Sequence, residues 1–121
     1  MTQTPNSKPY DLEERTYLFA QRCRKFLTKL PRSVANLEDS RQLARSLGSV
    51  AANYIEANES VSRKDYALRV KIARKEAKES RLWLRLFDLG ENGIAQQEQQ
   101  ALMAEATELC KIFGSILEKL K

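Results

Sequence analysis

The chain has 121 residues, enough for one domain with a real core, and is 42% apolar and 31% charged, which separates it from disordered chains. Its net charge is +5 and it contains no histidine. That absence removes the commonest general base, the commonest metal ligand and every imidazole-dependent triad.

The two cysteines, Cys23 and Cys110, are too few for a Cys/His zinc site, and each falls inside an apolar helical stripe, where a reduced core thiol is the expectation. The Glu-x-x-His pair of di-iron bundles is missing as well. The four glycines, Gly48, Gly90, Gly93 and Gly114, are isolated and build no phosphate loop. No catalytic set, metal site or cofactor is therefore expected. No stretch approaches the roughly 18 apolar residues of a membrane span, and Met1 to Pro9 lacks the hydrophobic segment of a signal peptide. The expectation is a cytoplasmic protein with no membrane partner.

Residues 1–9 read as a flexible tail and residues 10–121 as a bundle. A first helix is predicted over 11–30, with Asp11 and Glu14 at capping-box spacing and Leu12, Thr16, Phe19, Cys23, Phe26 and Leu30 on one stripe. Pro31 ends it. A second helix is predicted over 38–58, with Leu43, Leu47, Val50, Tyr54 and Ala57 inward. Its small residues from Ser46 to Ala52, Gly48 among them, suggest close approach of a neighbour. A third runs over 62–89, capped by Ser62 and ended by Gly90, and a fourth over 95–120, with Leu102, Ala106, Leu109, Phe113, Ile116 and Leu120 inward. Four helices on short links predict an all-α, up-down-up-down antiparallel bundle.

The third helix carries more than a bundle helix needs. Projected at 100° per residue, Tyr66, Val70, Ala73, Ala77, Leu84 and Phe87 share the inward face. Leu68, Ile72, Leu82, Trp83 and Leu86 form a second apolar face roughly opposite, with Glu79 among them. A subunit of the same chain is the expected cover, and a second helix of the same monomer is the alternative. Between the faces lies a cationic stripe of Arg63, Lys64, Lys71, Arg74, Lys75, Lys78, Arg81 and Arg85. Nine Lys and Arg against Asp65, Glu76 and Glu79 give this helix +6, so the rest of the chain is close to neutral. Such a one-sided surface suits polyanions, by phosphate contact rather than base reading; a merely solvated face is the alternative. No helix-turn-helix recognition element is visible.

The run Ser49-Val50-Ala51-Ala52-Asn53-Tyr54-Ile55-Glu56-Ala57, with Lys64-Asp65-Tyr66 and then Lys75-Glu76-Ala77-Lys78-Glu79-Ser80-Arg81-Leu82-Trp83-Leu84, resembles the 23S rRNA intervening-sequence proteins of bacteria. The resemblance implies a left-handed four-helix bundle assembled as a homopentamer, often encoded within insertions in 23S rRNA genes. The family is similar to the accessory proteins of diversity-generating retroelements, which implies nucleic acid, RNA or DNA, and a reverse transcriptase as partners. Asn53 and Glu56 match the signature of the second helix and Glu79 that of the third. Ser49, Asn53 and Glu56 form a polar stripe, expected to be a hydrogen-bond network at a helix or subunit contact. A non-enzymatic, oligomeric nucleic-acid binder is the first functional expectation. A scaffold docking an acidic partner protein is the second, and an enzyme working with carboxylates or a lysine has no motif behind it.

Overall fold

The computed structural model describes residues 11–121 and holds four helices: α1 (Leu12–Leu27), α2 (Val34–Asn58), α3 (Arg63–Leu86) and α4 (Gly93–Lys119). The expected tail lies outside the described residues. Neighbouring helices run antiparallel, α1 against α2, α2 against α3, α3 against α4, and α4 back against α1. Contacts fix each sense: Asn58 near the end of α2 donates to Glu13 at the start of α1, and Arg63 at the start of α3 reaches the Leu120 carbonyl after α4. The α2–α3 and α3–α4 seams are the broadest, and α1–α4 is the thinnest.

The helices start where side-chain acceptors meet free backbone N–H groups. Asp11, Ser33, Ser62 and Asn92 accept from the amides of Glu14, Asn36, Asp65 and Ala95. The second helix thus begins at Val34, a full turn before the expected Glu38. Val34, Ala35 and Leu37 are exposed, so that turn carries no apolar signal. The first helix ends at Leu27, before Leu30, because Thr28, Lys29 and Leu30 tighten into bonds to the third residue back.

The end of α3 corrects the expectation most. Helical geometry stops at Leu86, and Gly90 does not cap it; Gly90 (φ 61°) turns the chain further on. The terminal carbonyls are met by side chains from two other helices. Gln99 Nε2 of α4 donates to the Leu84 and Phe87 carbonyls at 2.8 and 3.2 Å. Asn36 of α2 accepts from the Asp88 amide at 3.1 Å and donates to the Asp88 and Pro31 carbonyls at 2.9 and 3.0 Å. Asn36 is buried, so one amide fastens the α1–α2 link to the α3–α4 link.

The core is the expected inward set, with Leu43, Leu47, Val50, Val70, Ala73, Ala77, Leu84, Leu102, Ala106, Leu109 and Phe113 fully enclosed. Tyr66, Ile116 and Leu120 are only half-buried, and Leu117 faces inward near the end of α4. Cys23 is enclosed and Cys110 half-buried, both as free thiols. Where α2 meets α3, the hydroxyls of Ser46 and Ser80 lie 2.8 Å apart and fully buried. The close approach is therefore made at Ser46; Gly48 is exposed with open space around it, contrary to its expected part. The thin α1–α4 seam is closed by two bidentate pairs, Arg15–Glu105 and Arg22–Glu98, with bonds of 2.7–2.9 Å. The Arg22 fork holds the Glu98 carboxyl below its usual range, through hydrogen bonding first and Coulomb attraction after it.

Two substitutions test this account. Asn36→Ala should leave the Asp88 and Pro31 groups unpaired and cost about 2–3 kcal/mol, read as a drop in thermal midpoint of roughly 10 °C. A shift below a couple of degrees would mean water serves those groups as well. Gly48→Ala should stabilise by about 0.5–1 kcal/mol in denaturant titration, since the position is helical, open and free of steric demand. Destabilisation would show that something packs on Gly48 in solution.

Candidate nucleic-acid interface

Because α3 packs on α2 along one flank and α4 along the other, its remaining circumference faces outward. The stripe residues occupy the outward flank on the α4 side. Arg63, Lys64, Lys71, Lys75, Lys78, Arg81 and Arg85 are exposed and Arg74 is half-buried. None of the eight forms an ion pair among the described residues. The arginines that do form them, Arg15, Arg22, Arg41 and Arg45, all belong to α1 and α2. The eight stripe cations of α3 are thus left unneutralised on one side, as Arg24 and Lys25 are on α1. At 1.5 Å per residue, α3's 24 residues carry it along about 36 Å.

The opposite flank of α3 is the neutralised one. Arg45 of α2 lies 3.5 Å from Glu76 and 3.3 Å from Glu79. Arg69 donates to Asn53 Oδ1 at 3.2 Å, while Asn53 Nδ2 donates to the Ser49 carbonyl and hydroxyl at 2.9 and 3.1 Å. Asn53 therefore sits in a hydrogen-bond network at a helix contact within the chain. Glu56 is exposed, and the two signature residues are not brought together in one site. Glu79, placed on the second apolar face, is paired with Arg45 on α2 of its own chain.

The second apolar face is covered in part: Trp83 packs against the chain's own core, and the leucines stay open. Leu68, Leu82 and Leu86 are 54%, 46% and 53% exposed, and Ile72 and Trp83 are half-buried. The indole Nε1 of Trp83 is buried without a hydrogen-bond partner among the described residues. Among the other exposed apolar side chains, Val34, Val61 and Ile94 lie near helix ends, and Tyr17 and Leu18 lie on α1.

Burial pushes the Cys23 thiol well up, and burial also raises Cys110 against the opposing pull of Lys78, Arg74 and Arg81. Both thiols are protonated at neutral pH, so neither is a ready nucleophile. Among the described residues no group of three or more acidic, Cys or His side chains could hold a metal ion. No helix among them is long and apolar enough to cross a membrane.

Sequence reasoning missed Asn36, Gln99 and the Ser46–Ser80 pair as structural residues. A signal was present: Asn36 lies one heptad before Leu43, Gln99 three residues before Leu102, and Ser46 three after Leu43. Each is a polar residue on an inward stripe, a position that demands a buried partner.

Comparison with known proteins agrees with this architecture. The crystal structure of a protein with unknown function from the S23 ribosomal protein family, from Bacteroides thetaiotaomicron VPI-5482, is similar at 29% identity and a TM-score of 0.73. The likeness covers 88% of this chain and 97% of that one. Among curated proteins none matches significantly. The family model for the 23S rRNA-intervening sequence protein matches residues 9–115, reaching from before α1 into α4, and the chain belongs to that family.

Proposed function

We propose that the chain is a non-enzymatic, homo-oligomeric bundle that holds nucleic acid by its phosphates along the α3 stripe. The observation that carries this reading is the concentration of eight cations on one flank of α3, none of them in an ion pair among the described residues. A merely solvated helix face would be expected to intersperse its charges and pair them at i+3 or i+4, as Lys111 and Glu108 do on α4.

Self-association rests on the second face of α3. Leu68, Leu82 and Leu86 are each about half exposed on one helix face, an apolar surface that a second chain would cover. A pentamer is the assembly the family resemblance favours. Repetition of the stripe around an oligomer would let several weak phosphate contacts act together.

Charge reversal tests the binding. Replacing Lys71, Arg74, Lys75 and Lys78 together by Glu should abolish binding of a labelled oligonucleotide in low salt while leaving the helical circular dichroism intact. In the unaltered protein, affinity should fall with salt at a slope of about 0.9 per phosphate neutralised. Retained binding by the variant would remove α3 from the reading. Multi-angle light scattering tests the assembly: a particle of five 13.9 kDa chains is expected, and a clean monomer would overturn it.

A further inference from the structure

Arg74 differs from every other cation of the stripe in being half-buried. Of the three half-buried arginines among the described residues, Arg15 is held by Glu105 and Arg69 by Asn53, but the guanidinium of Arg74 has no acceptor. It lies over Gly114 of α4, and a Cβ there would stand 3.9 Å from Arg74 Nη1. One turn before Gly114, the Cys110 thiol donates to the Arg74 backbone carbonyl at 3.8 Å. The seam floor is therefore made of small groups, and the guanidinium rests on it rather than extending into solvent.

Two depressions of the α3–α4 seam, of about 320 and 550 Å³, share Lys71 and Arg74 in their walls. Lys75, Lys78 and Lys111 line the larger one, and Lys121 the smaller. The acids nearby are already engaged: Glu118 with Lys121 at 3.1 Å, Glu108 with Lys111 at 3.5 Å, and Glu79 with Arg45. A half-buried guanidinium with no ion pair, set between two hollows with lysines one turn to either side, is a seat for an oxyanion.

We infer that the seam at Arg74 and Gly114 is a discrete phosphate seat, in which Arg74 grips one phosphodiester of a polynucleotide by two parallel N–H donors while Lys71 and Lys78 take the flanking phosphates. The inference rests on the nucleic-acid reading above and narrows it, from a diffuse field to one anchoring contact. Arg74 is set by its fork geometry, and the other stripe residues act as point charges.

Fluorescence anisotropy with a labelled 20-mer oligonucleotide, measured across salt concentrations, tests the seat. Arg74→Lys keeps the charge and removes the fork, so it should weaken binding about tenfold while leaving the salt slope unchanged. Gly114→Gln, which fills the floor without changing charge, should weaken binding similarly. Lys64→Gln, remote from the seat, should cost only about two- to threefold and lower the slope by about one. Millimolar inorganic phosphate at matched ionic strength should not displace the oligonucleotide; full displacement would make free phosphate the ligand and overturn the polynucleotide assignment. If Arg74→Lys and Gly114→Gln bind as the unaltered protein does while the quadruple Glu variant does not bind, the seat is wrong and the stripe stands. If the unaltered protein binds nothing in low salt, both fall.

Discussion

How closely α2 and α3 approach is set by the buried hydroxyl pair Ser46–Ser80, and the rest of the bundle is arranged around that approach. Small side chains at Ala73, Ala77 and Ser80 let α3 sit against α2 and α4 on a narrow inner strip. Each hydroxyl also has a carbonyl of its own helix within reach, Leu43 for Ser46 and Glu76 for Ser80, so the pair is satisfied without water. Packed by these small residues against α2 and α4, α3 still leaves its outer side uncovered. The long side chains of that helix are thereby left on its outer surface, where both the cations and the second apolar face are found.

The two flanks of α3 are electrostatically unlike because their neighbours are. Toward α2 the helix meets Arg45 and Asn53 and answers with Glu76, Glu79 and Arg69, so that side is matched. Toward α4 it meets Cys110 and Gly114, while Glu108 and Glu118 are engaged by Lys111 and Lys121 of their own end of the chain, so the stripe cations have no ion pair across the seam. The segregation follows from which residues line each seam, and it converts a modest net charge of +5 into a one-sided field.

Much of the architecture was legible because apolar residues recur at helical spacing. The inward faces of α2 and α3, and that of α4 as far as Phe113, follow directly from that periodicity, and Ser62 announces α3 correctly. What escaped it was polar. The first turn of α2 carries exposed Val34 and Leu37 with a buried Asn36, the inverse of the pattern that periodicity detects. The end of α3 is decided by Asn36 and Gln99, residues 52 and 12–15 positions away, so no local glycine rule could place it. For the interface, the stripe and the second face were legible as charge and hydropathy, but the special position of Arg74 was not. It depends on Gly114 of another helix, a pairing that a projection of α3 alone does not contain.

The Asn36 clamp has a kinetic consequence. It joins residues 52 positions apart, and the chain between them must already be arranged as α2 and α3 before the amide can reach the Asp88 backbone. Contacts of this kind carry a loop-closure cost that local contacts do not, and are expected to form late in folding. Its stabilising effect is then felt on the unfolding side, as a lock that slows opening of the bundle rather than a guide that speeds its formation. Opening of the folded chain would then be slowed, among other contacts, by one buried amide at the end where both pairs of helices are joined.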